Sequence, residues 1–261
     1  VDWNSWHARP WHTEERLHPT SWTMTRALDF LARHDGTQPY FLNISFARPR
    51  SPYVPPPFYF DLYHRTDLPL PQVGNWAGMH EDPRPARDPN AWRGRMTPEQ
   101  IHRARAGYYG EISFIDTQIG RLIYQLNRLG SKGLSNTWIV FTSDHGDMQG
   151  DHHLWRKTYA YEGSARIPFL VIPPGALGRP NRSVVDEVVE LRDIMPSLLD
   201  AAGLPVPEPL DGQSVLPLLT APATAWRPRR FSTPRDMTRL SRPIWPAPFN
   251  NRNRNFLMPC K

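Results

Sequence analysis

Cysteine is almost missing: among 261 residues, Cys260 stands alone. One thiol cannot close an internal disulfide or build a thiolate metal cluster, so both are excluded. Long hydrophobic runs are missing as well. No apolar stretch approaches the roughly 18 residues that cross a bilayer as a helix, so no membrane-spanning helix is predicted. The opening Val1-Asp2-Trp3-Asn4 offers no initiator methionine and no basic-then-apolar leader. The chain is therefore expected to begin inside a longer protein, which leaves the compartment open.

An excess of acid is lacking too, the formal charge being +6. That balance invites a nucleic-acid reading until its distribution is considered. Of 31 basic and 25 acidic residues, nine and one fall within 226–261, leaving 22 against 24 elsewhere, a net of −2. The body is slightly acidic and the basicity sits in a tail. Such a tail attracts polyanions without selectivity. No pattern of interleaved aromatic and basic residues accompanies it, so no specific nucleic-acid partner is expected. The same segment holds six prolines, eight arginines and few aliphatics, which cannot bury a core. It is predicted to be disordered, with 1–225 as the folded domain.

What is present alternates helix and strand. Trp22 to His34 reads as a helix behind Thr20 or Ser21 as cap, with Trp22, Ala27, Leu28 and Leu31 on one face. Tyr40 to Phe46 is an apolar run of strand type, and 47–97 a long loop dense in Pro, Trp, His and Arg. Pro98 opens the longest helix, to about Leu129, with Tyr108, Ile112, Ile115, Ile119, Leu122, Leu126 and Leu129 as its buried stripe. Thr137 to Thr142 and Ile167 to Ile172 read as central parallel strands covered on both faces. Asp193 caps a helix to Ala202, ended by Gly203. The order implies an α/β sandwich with a mostly parallel sheet.

Chemistry concentrates after the strand ending at Thr142, in Ser143-Asp144-His145-Gly146-Asp147. Loops at the carboxyl ends of strands in open α/β sheets aim polar groups at one point. Asp144 offers a hard oxygen and His145 an imidazole nitrogen, both able to ligate a divalent cation, and Gly146 lets the backbone turn. On its own this is equally a turn whose aspartate caps a neighbouring helix.

The segment continues as Met148-Gln149-Gly150-Asp151-His152-His153-Leu154-Trp155-Arg156-Lys157, and the whole resembles the SDHGxxxGxHxxWxK signature of sulfatases. Tyr161-Glu162-Gly163-Ser164-Ala165-Arg166-Ile167-Pro168 is similar to that family's strand entry. Ser45 to Pro56, Tyr108 to Asp116 and Leu210 to Leu219 extend the match. Five ordered motifs cover roughly residues 20 to 220, and the chain is identified as a member of the sulfatase family within the alkaline-phosphatase superfamily.

The resemblance implies an alkaline-phosphatase-like three-layer sandwich, incomplete at the N-terminus and without the usual C-terminal subdomain. It implies a formylglycine nucleophile made from a C/S-x-P/A-x-R motif, and a divalent cation, usually Ca²⁺, with Mn²⁺ or Zn²⁺ as alternatives. By position, Asp144 and His145 supply two of four protein ligands, and Lys157 reaches a sulfate oxygen that gains charge in the transition state. His152 either contacts substrate or packs structurally, and Trp155 lines the substrate end. The substrate would be a sulfated carbohydrate or aryl ester, as a small molecule or a sulfated glycan, and a periplasmic or secreted setting is the family's. A phosphodiesterase or phosphonate monoester hydrolase of the same superfamily is the alternative enzyme. A non-catalytic sulfoglycan-binding module is the alternative outside enzymes.

Two departures stand out. Arg50 occupies a position where the family usually has a histidine that can protonate the leaving group. Arginine makes a poor acid, so Arg50 either clamps sulfate bidentately or pairs with a loop carboxylate. The formylglycine motif itself is absent, since Cys260 sits in Met258-Pro259-Cys260-Lys261 with nothing to complete it. The other two aspartate ligands are also missing. The chain is expected to need an N-terminal half of the same enzyme and to be inactive alone.

Overall fold

The computed structural model describes residues 5–80, 91–157, 159–177, 184–220 and Trp226. Helix α1 spans Pro19–Arg33. Its cap is neither Thr20 nor Ser21 but His18, whose Nδ1 accepts from the Thr20 amide at 3.1 Å. Pro19 stands at the first position, where a missing N–H costs nothing. Thr20, Met24, Ala27 and Leu31 are buried at three- and four-residue steps, whereas Trp22, expected inward, is 61% exposed. Tyr40 to Phe46 alternates exposed and half-buried residues as a strand does, yet it joins no ladder among the described residues. Its backbone groups lack the neighbouring strand that would make it one.

The stretch read as one long loop contains helix α2, Pro57–His64, which buries Phe60. Three prolines, Pro55 to Pro57, lead into it, and Pro57 takes the first-turn position that suits proline. Helix α3 spans Pro98–Arg128 behind a reciprocal cap: Thr97 Oγ1 accepts from the Gln100 amide at 3.2 Å, and Gln100 Oε1 accepts from the Thr97 amide at 2.9 Å. Its limits match the sequence reading, and of the expected stripe Ile115 and Leu126 are buried and Tyr108, Ile119, Leu122 and Leu129 half-buried. Ala104, Arg105, Gly107, Gly110, Glu111, Phe114 and Gln118 point inward, while Ile112 is 41% exposed. Helices α1 and α2 lie on that side. Small residues there let backbones close up, and the buried heads of Arg105 and Glu111 find polar partners.

Strands β1, Ile139–Thr142, and β2, Phe169–Ile172, pair in register Ile139 with Ile172 through Thr142 with Phe169. The pair is antiparallel, correcting the expectation of parallel neighbours for these two. Between them the chain forms the motif loop and the single turn α4, Glu162–Ala165. It returns without the helical crossover that parallel neighbours require.

Helix α5, Ile194–Ala201, and the turn α6, Pro217–Thr220, complete the described elements. Ile194, Ser197, Leu198, Val215 and Leu216 line a small cavity together with Val140, Phe169 and Val171 on one face of the strand pair. Asp193 does not cap α5 with its side chain. Its buried carboxylate accepts from the Glu190 amide at 2.8 Å and the Gln213 amide at 3.0 Å, fastening the Asp211-to-Ser214 segment to the helix start. The principal core cluster joins Trp6, Ala8, Tyr53, Phe60, Ala104 and Trp155. Residues 227–261, read as a disordered tail, lie outside the described residues. Among the described residues, no helix is long and apolar enough to cross a membrane.

Candidate active site

The motif loop leaves β1 at Thr142, whose hydroxyl donates to the Pro168 carbonyl at 2.9 Å. Asp144 follows with a side chain 82% exposed. Its Oδ1 accepts from the His145 amide at 3.0 Å, and its Oδ2 lies 3.4 Å from His145 Nε2. His145 Nδ1 stands 2.7 Å from the Gly146 carbonyl. A carbonyl only accepts, so Nδ1 carries that proton and Nε2 presents its lone pair. Lys157 Nζ meets this lone pair at 2.7 Å.

Gly146 is required by close approach. Its amide donates to the Ser164 carbonyl at 2.8 Å, and a Cβ there would lie 2.2 Å from the Gly163 carbonyl oxygen. The Tyr161-to-Ser164 motif thus packs directly on the Asp-His-Gly motif. Two signatures separated in sequence form one structural unit.

Asp147 closes the loop. Its Oδ1 accepts from the Gln149 and Arg156 amides, both at 3.0 Å, and its Oδ2 accepts from the Tyr53 hydroxyl at 3.0 Å. The Met148 amide donates to the Arg156 carbonyl at 2.7 Å. These bonds bring the chain back so that Lys157 arrives beside His145. Burial pushes the Asp147 carboxyl above its ordinary range and the Tyr53 hydroxyl well above its own. From α3, buried Arg105 donates to the carbonyls of Gln149 and Pro69 and to Asp151 Oδ1 at 2.8 Å. Asp151 Oδ1 also accepts from the Gln72 amide at 2.9 Å. Sequence reading gave Asp147, Tyr53 and Arg105 no role. Asp147 and Tyr53 do stand inside matched motifs, whereas nothing in the helical pattern marked Arg105.

The structure brings Asp144, His145 and Lys157 together and packs His152 and Trp155 away from them. His152 is buried, with its amide on the Gln72 carbonyl at 2.8 Å, its Nδ1 accepting from the Gly74 amide at 3.1 Å, and its ring 4.5 Å from Trp76. These contacts display the packing side of the alternative. Burial lowers its pKa. Trp155, expected to line the substrate end, is instead 1% exposed, with its ring 6.4 Å from Trp6 in the core. An indole is too large an apolar surface to leave in water when a core lies beneath it. Arg50 is exposed on the neighbouring loop. Its carbonyl accepts from Arg48 Nη1 at 2.7 Å, and Arg48 Nε lies 3.4 Å from buried Glu111 Oε1.

The donor pair fits one edge of a divalent-cation shell. Two ligands about 2.4 Å from a cation and at right angles stand about 3.4 Å apart, the separation of Asp144 Oδ2 and His145 Nε2. Among the described residues, no group of three or more His, Cys, Asp or Glu could hold a metal.

A family model described as Sulfatase matches residues 2–204. The arylsulfatase of Clostridium perfringens is 47% identical over 228 residues, covering 87% of this chain and 47% of that protein. The choline-sulfatase of Rhizobium meliloti is 33% identical over 191 residues, covering 71% and 36%. Among solved structures, a phosphonate monoester hydrolase from Silicibacter pomeroyi superposes with a TM-score of 0.70 at 29% identity, covering 86% of this chain and 48% of that one. The chain thus spans less than half the length of each.

Proposed function

The chain belongs to the sulfatase family, and from that premise we propose that it carries the metal- and sulfate-facing part of a sulfuric ester hydrolase site centred on Asp144, His145 and Lys157. Hydrolase class and fold come with the family. The structural neighbours are sulfatases and phosphonate monoester hydrolases of the alkaline-phosphatase fold, an α/β sandwich of which this chain holds part. The observation that carries the finer reading is the convergence of Lys157 Nζ and Asp144 Oδ2 on His145 Nε2 at 2.7 and 3.4 Å.

On this reading Asp144 and His145 hold a divalent cation. Ca²⁺ suits the carboxylate, and Mn²⁺ or Zn²⁺ the mixed oxygen and nitrogen pair. When bound, the cation supplies positive charge that polarises the ester's sulfuryl oxygens. Lys157 then releases His145 and donates to a sulfate oxygen as negative charge grows there. Asp147 holds the loop in register so that Lys157 reaches it, and His152 and Trp155 act as positioning residues beneath. Arg50 offers a fork that fits a sulfate edge without serving as a proton donor. Two ligands leave most of a hard cation's shell unfilled, so on this reading the 261-residue chain alone is inactive. A formylglycine nucleophile belongs to the intact enzyme on this reading. The likeness to the phosphonate monoester hydrolase supports phosphonate ester hydrolysis as the second reading.

Calorimetric titration with phenyl sulfate and phenyl phosphonate, in Ca²⁺, tests both. Lys157→Ala should weaken sulfate-ester binding by about tenfold or more, the scale of one charge-assisted hydrogen bond. Unchanged binding would overturn the site, and preference for the phosphonate would select the second reading.

A further inference from the structure

Arg48 and Arg50 stand two residues apart on the loop that leads into Tyr53, and they face different surroundings. The Arg48 side chain is 9% exposed and reaches α3, whereas Arg50 is exposed. Ser51 to Pro56 are all buried, so Arg50 is the last exposed residue before an arm packed into the molecule. Arg48 Nη1 donates to the carbonyl of Arg50 at 2.7 Å and to that of Pro52 at 2.8 Å. Its Nε lies 3.4 Å from Glu111 Oε1 on α3. The same oxygen accepts from the Val54 amide at 2.8 Å. Between Pro52 and Val54, the Tyr53 hydroxyl donates to Asp147 Oδ2 at 3.0 Å. One carboxyl thus gathers both ends of the Arg50 loop, and that loop is bonded to the one that carries Lys157.

Packing alone does not ask for this arrangement. Glu111 is wholly enclosed, and its Oε2 has no hydrogen-bond partner. A carboxyl buried in that way costs stability that an apolar side chain of similar size would not. One turn earlier, α3 meets the same segment without any polar group: a Cβ at Gly107 would lie 2.8 Å from Tyr53 Cβ. What Glu111 adds is an anchor for a guanidinium. What the guanidinium adds is a planar set of donors that reaches a carboxyl and two carbonyls from one side chain. Those contacts hold the backbone at Arg50 and leave the Arg50 side chain exposed.

We propose that Arg48 is a positioning residue, locked by Glu111, and that Arg50 contributes to ester binding only while Arg48 holds the loop beneath it. The proposal rests on the reading of the site around Lys157, which lies on the other loop and should keep its own contribution. Lysine does not replace Arg48 in this role. Its ammonium is a point charge on a flexible stem and cannot span a carboxyl and two carbonyls in one plane.

Calorimetric titration of the 261-residue chain with phenyl sulfate, in Ca²⁺, tests this through a double-mutant cycle. Arg50→Ala should weaken binding by about tenfold, the scale of one charge-assisted hydrogen bond. Arg48→Lys should weaken it nearly as much, and the double variant no more than Arg50→Ala does alone. A merely structural role would lower every contribution together. Lys157→Ala should instead weaken binding by the same factor in the Arg48→Lys chain as in the parent. Should Arg48→Lys fail to fold, Arg48→Gln takes its place in the cycle. Burial raises Glu111 to about 8 even with Arg48 opposing, so at about pH 6.5 that variant leaves no unpaired buried charge. Independent effects of the Arg48 and Arg50 variants, or parent-like binding by either one, would overturn the proposal. So would a Lys157→Ala effect that vanishes in the Arg48 variant. In the first two cases a persistent Lys157→Ala effect keeps the sulfate site, and the positioning role alone falls. No binding of phenyl sulfate, or Lys157→Ala without effect in the parent chain, overturns the site reading and the proposal with it.

Discussion

Asp144 and Asp147 stand three residues apart in one loop and occupy opposite environments. Asp144 extends into solvent and bonds the amide of its own neighbour. Asp147 is enclosed and accepts three hydrogen bonds, from Tyr53, Gln149 and Arg156. The loop beyond Asp147 is held harder still. Gln149, His152, His153 and Arg156 all take positive φ, between 48° and 69°. Each such residue costs about 1 kcal/mol or more and persists only where its surroundings over-determine it. Here Arg105, the Gln72-to-Gly74 segment and the core beneath Trp155 do so. The difference teaches how the site divides its work. The hidden half is stiff, so that the open half can present an aspartate, a histidine and a lysine at fixed separations.

Cutting the stiff half should have the largest effect. Arg105→Met removes a guanidinium that binds two carbonyls and Asp151, leaving that carboxylate with less support. A loss of about 3–5 kcal/mol in unfolding free energy is expected by chemical denaturation, and an Arg105→Met chain as stable as the parent would break the comparison. Lys157→Ala should do the reverse. In the intact enzyme it should lower turnover by about 10² while leaving the melting temperature of this chain within a degree or two.

The buried half also titrates, and its signs can be worked out. His18 Nε2 donates to the Val54 carbonyl at 3.2 Å, and Glu111 Oε1 accepts from the Val54 amide at 2.8 Å. Burial, opposed by Arg48, raises Glu111 from 4.5 to about 8, and burial lowers His18 from 6.5 to about 4. The Glu111 contribution is complete below pH 4.5 and lost as pH rises through 8. The His18 contribution is complete above pH 6.5 and lost as pH falls through 4. The two oppose each other between 4.5 and 6.5, so stability should decline from pH 6.5 to 8, by about 1–2 kcal/mol. Glu111→Gln should flatten that decline in denaturation measured across the range; an unaltered slope would exclude Glu111 as its source. The smallest effect is expected for Arg50→His, which should leave stability unchanged. In the intact enzyme, a histidine acting as leaving-group acid would raise activity and add an alkaline limb to the pH profile. An unchanged rate and profile would identify Arg50 as a sulfate or loop contact.

The cluster of Asp144, His145 and Lys157 that makes the candidate site was legible because its members are close in sequence and of distinctive chemistry. Asp144, His145 and Lys157 were all named from the motif, and the strand before them was found from its apolar run. What stayed hidden depended on partners far along the chain. Trp155 reads as a substrate residue in the motif and as a core residue only once Trp6 and Tyr53 lie around it. The aliphatic stripe of α3 was read in large part, with Ile115 and Leu126 buried, but periodicity counts aliphatics and so passed over the small residues and the two charges, Arg105 and Glu111, buried beside them.

By itself, then, the sequence determined the extent of the longest helix and which short segment carries the family's signature. Capping, proline position and motif spacing are local, and local order is written in adjacent residues. Only the tertiary structure decided which faces are buried, that β1 and β2 run antiparallel, and that Lys157 closes on His145. Those outcomes depend on desolvation and hydrogen bonding between residues distant in the chain, from β1 with β2 to Arg105 with Gln149 and Tyr53 with Asp147. Their energies exist only once the partners meet, so no stretch of chain read alone contains them.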